Sequence, residues 1–149
     1  MAKEIERKFL VKSSEYRDIA TAKCCIKQGY LSTHKESTVR VRIKDKSAFI
    51  TVKGISNGIT RDEWEFSIPV DDALEMLRIC QGNIIEKERY VVDYMGSIWE
   101  VDEFHGVHDG LVVAEIELKD ENETFPIPPF IGEEVTGNVA YYNSTLAGV

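Results

Sequence analysis

Charged residues at every second position, in one segment after another, constrain this chain more than any other feature of it. In residues 38–44, Val39, Val41 and Ile43 alternate with Arg40, Arg42 and Lys44, the period of a β-strand whose side chains point to opposite faces. Residues 3–11 repeat the pattern, with Glu4, Glu6 and Lys8 on one face and Ile5, Phe9 and Val11 on the other. Arg7 is the exception in that apolar row. Further on, Lys87 and Arg89 alternate with Glu86, Glu88 and Tyr90, Glu100 and Asp102 with Trp99 and Val101, and Glu115 and Glu117 with Ala114, Ile116 and Leu118. Alternation of this kind is also shown by any antiparallel sheet with one solvated face. The pattern therefore leaves two architectures open: a sheet or sandwich with its charges in water, or a closed barrel with its charges inside.

Two features favour the barrel. The signs cluster by strand: Arg40, Arg42, Lys53, Lys87 and Arg89 come from the third, fourth and sixth strands, while Glu4, Glu6, Asp102, Glu115 and Glu117 come from the first, seventh and eighth. A closed antiparallel barrel of about eight strands is also wide enough to hold a small ligand. Its outer apolar face would then be covered by helices such as residues 70–81. Buried charges must be paired or coordinate a metal. A carboxylate wall facing a cationic wall suits a polyphosphate with divalent metal, since carboxylates hold hard cations and Arg and Lys neutralise phosphate oxygens.

The rest of the chain reads as short elements and tight turns. A helix capped by Ser is expected over residues 13–20. Strands follow at 25–31, 38–44, 48–53 and 61–68, separated by polar turns at 32–37 and 45–47 and a loop at 54–58. Residues 70–81 form the strongest helix: acidic residues occupy its start, Ala73, Leu77 and Cys80 make an apolar stripe, and Gly82 is placed to end it. Strands at 85–94, 97–104 and 111–119 are joined by Met95-Gly96 and a loop at 105–110. Residues 120–149 hold three of the four prolines and read as loop with one or two short helices. No linker divides the 149 residues, so one domain spanning 1–149 is expected.

Composition narrows the function classes. A net charge of −8 argues against nucleic-acid binding, which needs a basic footprint, though not against a cationic cleft for a small anion. The sequence has no apolar run of the roughly 20 residues a membrane helix needs. The charged first residues do not read as a signal peptide. A cytoplasmic protein without membrane or nucleic-acid partners is expected. Three cysteines without framework spacing do not suggest disulfides. A zinc site from Cys24, Cys25, His105 and His108 lacks the usual C-x2-C spacing. Glu63 and Glu65 leave two roles open, metal binding or pairing with Arg61, Arg40 and Arg42, of which pairing is expected, while Trp64, Phe66 and Trp99 fall on the opposite face and are expected to pack. The histidines, in predicted loops, are assigned no role.

Glu4-x-Glu6-x-Lys8 resembles the hallmark of the CYTH superfamily, the triphosphate tunnel metalloenzymes. Gln28-Gly29-Tyr30-Leu31, Arg40-Val41-Arg42, Thr51-Val52-Lys53 and Arg61-x-Glu63-x-Glu65 fall in that family's order. So do Lys87-x-Arg89, Trp99-x-Val101-Asp102-x-Phe104, Ala114-Glu115-Ile116-Glu117 and Glu134-Val135-Thr136-Gly137. A lone ExExK is weak, but eight ordered matches across nearly the whole chain are specific. The resemblance implies an α+β, mainly β fold: an eight-stranded antiparallel closed barrel, or tunnel, with helices packed outside and a C-terminal helix. It implies a divalent-metal-dependent hydrolase of a triphosphate, with inorganic triphosphate first. Thiamine or nucleoside triphosphate hydrolysis, a class IV adenylyl cyclase, and a non-catalytic phosphate- or nucleotide-binding protein are the alternatives. The cyclase subgroup carries a His-Phe pair ahead of its motif, whereas only Met1, Ala2 and Lys3 precede Glu4.

On this reading Glu4, Glu6, Asp102, Glu115 and Glu117 hold Mg²⁺ or Mn²⁺. Lys8, Arg40, Arg42, Lys53, Lys87 and Arg89 bind the triphosphate. Glu4, Glu6, Glu117 and Lys53 are the catalytic candidates: the general base is a carboxylate of the first or eighth strand, or else Lys53 with Tyr30 nearby. Homodimers are compatible with the family. Compact members carry a basic residue where this chain has Asn138-Val139-Ala140, a departure that bears on substrate affinity.

Overall fold

The computed structural model describes residues 2–148. Nine strands are present: β1 (Ala2–Val11), β2 (Ala22–Ser32), β3 (Ser37–Lys44), β4 (Ser47–Gly54), β5 (Thr60–Ile68), β6 (Gln81–Tyr94), β7 (Ser97–His105), β8 (Val112–Glu117) and β9 (Ile131–Glu134). The helices are α1 (Tyr16–Ile19), α2 (Val70–Leu77) and α3 (Asn143–Leu146), with 3-10 turns at Gly106–His108 and Val139–Tyr141. No helix among the described residues is long and apolar enough to cross a membrane.

The strands run antiparallel in the order β5-β4-β3-β2-β6-β7-β8-β1, and a β1–β5 pairing closes the barrel. Closure rests on four residue pairs, from Ala2↔Glu63 to Ile5↔Thr60. Beyond them, the same edge of β1 is taken up by β9, through Phe9↔Glu134 and Val11↔Ile131. The barrel is thus the expected mainly β, eight-stranded one, with a ninth strand outside it. Tight turns set the register. Met95 and Gly96 both have positive φ, as a two-residue hairpin with the right twist requires, and they join Tyr94 to Ser97.

The apolar core lies outside the barrel wall. Phe9, Tyr16, Trp99, Val101, Ile116, Phe130 and Ile131 form its largest cluster, under α1 and the segment leading to β9. On another side, Ala73 and Leu77 of α2 cover Val41 and Ala48. The alternation makes this arrangement necessary: if apolar side chains point outward, other elements must cover them. A third cluster stops one region of the lumen, where Leu146 and Ala147 pack on Tyr30, Ile85, Phe104 and Val113.

Several element expectations are corrected. The first helix is only Tyr16–Ile19, and Glu15, not a serine, stands at its N-cap without a side-chain bond. Tertiary contact fixes it instead, since Glu103 accepts hydrogen bonds from Tyr16 and Arg17. Helix α2 stops at Leu77, short of residue 81, and gives way to tighter turns such as Arg78 N–H to Glu75 O. Gly82, expected to cap it, lies in β6 with φ 68°; pairing of Gln81 with Tyr30 claims this segment for the sheet. The four-residue β9 falls where the sequence pattern reads as loop. Phe66, expected to pack, is 61% exposed, whereas Trp99 is fully buried.

Candidate functional site

The charged faces point into the lumen. On β1, Glu4 accepts two hydrogen bonds from Lys53 Nζ, at 2.7 and 2.9 Å. Lys53 also lies 3.9 Å from Glu63, its direct partner across β4 and β5. Burial, then a hydrogen bond to Glu4, pushes the Glu63 carboxyl up to about 7. Glu6 faces Glu117 across the β1–β8 ladder and has no hydrogen-bond or ion-pair partner among the described residues. Burial, then the charges of Glu115 and Glu4, hold it well above the usual carboxylate range. Glu117, exposed at the edge of this wall, is raised by burial and by Glu4 and Glu100.

Lys8 is nearly buried, 3.4 Å from Glu115 and donating to the Tyr141 carbonyl at 3.1 Å. Burial raises Glu115, but Lys8 and the cations beyond it outweigh burial and bring the carboxyl down to about 2. Arg40 donates to Thr51 at 3.2 Å, while its Nε is buried without a partner. A deeper layer contains Arg42, Lys87, Arg89 and Asp102. Arg89 clamps Asp102 with two bonds of 2.8 and 2.9 Å, and Lys87 Nζ lies 2.7 Å from the same carboxylate. Burial would raise Asp102, yet the two cations hold it far below its usual range. Burial, with help from Arg89 and Arg42, brings Lys87 down to about 7 against the pull of Asp102.

Glu4, Glu6, Lys8, Arg40 and Lys53 line one cleft, open to solvent, with Arg61, Tyr30, Thr38, Thr51 and residues 142–144. Arg42, Lys87, Arg89 and Asp102 lie beneath it, and Glu117 at its edge. Asp102, expected on the metal, has both oxygens engaged by Arg89 and Lys87, as Glu4 has both engaged by Lys53. Glu63 and Glu65 do pair, but Glu63 with Lys53 and Glu65 with Arg40 at 3.9 Å and Thr51 at 2.9 Å. The exposed Asn138–Ala140 stretch does not line the cleft; Tyr142, Asn143 and Ser144 do.

Sequence reasoning missed Thr38, Thr51 and the 142–144 wall. The two threonines occupy inward positions of the alternation and could have been found by extending it to neutral residues. The wall carries no pattern. His108, given no role, bonds to the Leu146 carbonyl and ties α3 to the turn after β7.

No three His, Cys, Asp or Glu side chains among the described residues converge on a common metal-binding point. Glu4 is turned onto Lys53 and Asp102 onto two cations. The zinc alternative has no support, since Cys25 is exposed and His105 pairs with Glu88 at 3.0 Å. The carboxylates of β1 and β8 nonetheless suit a hard divalent cation in donor type. Glu4, Glu6, Glu115 and Glu117 gather on β1 and β8, and Glu6 is a largely buried carboxylate on which burial and the charges of Glu115 and Glu4 outweigh the pull of Lys53 and Lys8.

Three comparisons agree with this geometry. An inorganic triphosphatase of Acetivibrio thermocellus is 48% identical over 147 residues, covering 98% of this chain and 94% of that protein. An inorganic triphosphatase of Nitrosomonas europaea is 35% identical over 148 residues, covering 97% and 96%. A crystal structure of an inorganic triphosphatase superposes with a TM-score of 0.72 at 33% identity, covering 99% of this chain and 95% of that one. The CYTH domain matches residues 2–143, so with the closed barrel and its inward ExExK strand, the chain belongs to the CYTH domain family.

Proposed function

We propose that this chain hydrolyses inorganic triphosphate with Mg²⁺ or Mn²⁺. The observation that carries the reading is the two-signed cleft: Glu6 and Glu117, under-neutralised carboxylates, stand beside Lys8, Arg40 and Lys53 in one lumen. Its closest chemical complement is a polyanion accompanied by a divalent cation. The named activity of the two relatives above supports the same substrate.

Glu4, Glu6, Glu115 and Glu117 would hold the metal, which when bound supplies Lewis-acid polarisation of a phosphoryl oxygen and of water. Asp102 serves as the counter-ion of Lys87 and Arg89, orienting both and opposing the burial that lowers Lys87. Lys8, Arg40 and Lys53 neutralise phosphate oxygens in the open cleft, and Arg42, Lys87 and Arg89 receive the inner end of the chain. Phosphoryl transfer needs chiefly positioning and charge neutralisation. Attack by water forms one P–O bond as the bridging P–O bond breaks, releasing phosphate and diphosphate. The water's proton passes to a carboxylate of β1 or β8. Lys53, with Tyr30 in the same cleft, is the second acceptor.

The test is phosphate release from inorganic triphosphate, thiamine triphosphate and ATP with Mg²⁺, Mn²⁺ or a chelator. Rapid release from inorganic triphosphate, stopped by the chelator and by Glu4→Ala, is expected. Release from none of the three would overturn the reading, and cyclic AMP from ATP would replace it with a cyclase.

A further inference from the structure

Arg42 reaches into the barrel, and its only side-chain hydrogen bond among the described residues runs from Nε to Gln28 Oε1, at 2.7 Å. No carboxylate forms an ion pair with it there, although Arg89, Lys87, Lys53 and Lys8 each have one. Burial, then Arg40 and Arg89, bring Arg42 down to about 9. A guanidinium kept among other cations without a counter-ion is costly unless an anion arrives.

Gln28 is 0% exposed and sits directly opposite Arg42 across β2 and β3. Its carbonyl oxygen must face Arg42, because the reverse orientation would set amide N–H against guanidinium N–H. That choice leaves Gln28 Nε2 as a buried donor with no partner. One residue thus fixes the Nε edge of Arg42, leaves the terminal fork of the guanidinium free, and adds an unsatisfied donor beside it. The guanidinium fork, left without a counter-ion, is the part of this pair that an arriving anion would satisfy.

We infer that Gln28 is a positioning residue: through Oε1 it holds the Arg42 fork toward the inner phosphate of the substrate. The inference rests on the triphosphate reading and deepens it. A neutral amide suits this place where a carboxylate would not. Glutamate would also orient Arg42, but it would cancel the charge the phosphate needs.

The experiment measures inorganic triphosphate binding by calorimetry, with chelator present, for wild type, Gln28→Met, Arg42→Met, the double variant and Gln28→Glu. Thermal melting of each variant checks its folding. Gln28→Met is expected to weaken binding roughly 10- to 100-fold, the range for a hydrogen bond to a charged group. The same substitution should cost much less once Arg42 is gone, because the two act as a unit. With metal, its effect should fall on KM rather than kcat. Gln28→Glu should bind more weakly than Gln28→Met although it keeps an acceptor for Arg42, and it serves if the methionine variant does not fold. Wild-type affinity in either variant, or an equal loss with and without Arg42, would overturn the inference alone. A wild-type protein that neither binds nor cleaves triphosphate would overturn the functional reading and this inference with it.

Discussion

Among single residues, the carboxylates divide by what neutralises them, and their proton affinities follow. Glu63 holds its proton up to about 7, whereas an unfolded glutamate releases it near 4.3. A carboxyl raised in this way contributes stability that is complete below the unfolded value and is lost as pH rises through the folded one. Glu6 acts in the same direction. Glu115, brought down to about 2, has the opposite sign: its contribution is present above the unfolded value and lost as pH falls toward 2. Calorimetry of the metal-free protein should therefore show Tm falling between about pH 5 and 7. Glu63→Gln should flatten that slope, and an unchanged slope would remove Glu63 as its source. The alternation makes these groups visible as inward charges but cannot rank them. Whether Asp102 meets a metal or two cations depends on side-chain contacts between β6 and β7, which alternation alone does not carry.

At the scale of elements, the strands are legible because each carries its own period, while helix ends and β9 are not. Residues 131–134 contain a glycine and two glutamates and would not be read as a strand in isolation. They pair because closure by β5 leaves half of one β1 edge open. The same event explains Arg7, the odd charge in an apolar row. Its guanidinium meets Glu134 of β9, with Nε 2.8 Å from the carboxylate, and lies 5.1 Å from the Phe125 ring. A similar dependence on tertiary contact shapes β2. A Cβ on Gly29 would sit 2.8 Å from Ile84 Cδ1 and 2.9 Å from Cys80 Cβ, so only glycine lets the segment after α2 lie on β2 between Gln28 and Tyr30. Gly29→Ala should cost about 1–3 kcal/mol by overpacking, read as a lowered Tm. It should also raise KM, because the strand that shifts carries two lumen side chains. A variant with unchanged melting and KM would show that the contact relaxes without moving β2.

For the whole molecule, the barrel inverts the usual division of polarity: core outside the wall, charge inside. This inversion is legible in the amino-acid sequence because the signs segregate by strand, which a solvated sheet face has no reason to do. The closure of the lumen by Leu146 and Ala147 is not, since residues 143–148 carry neither periodicity nor charge. A charged interior also makes stability depend on the guest. Without metal, Glu6 lowers its charge by holding a proton, and Lys53 occupies Glu4. A divalent cation must displace both, so its binding releases protons and strengthens as pH rises. Ligand bound only to the folded state raises stability in proportion to RT ln(1 + [L]/Kd). The rise in Tm produced by a fixed concentration of Mg²⁺ or Mn²⁺ should accordingly grow as pH rises. Glu6→Gln should shrink the rise and flatten its dependence on pH. Lys53→Met should increase the rise, because it removes the internal cation that competes for Glu4. A metal-induced shift independent of pH, or one untouched by Glu6→Gln, would place the cation elsewhere than on the carboxylate wall of β1 and β8.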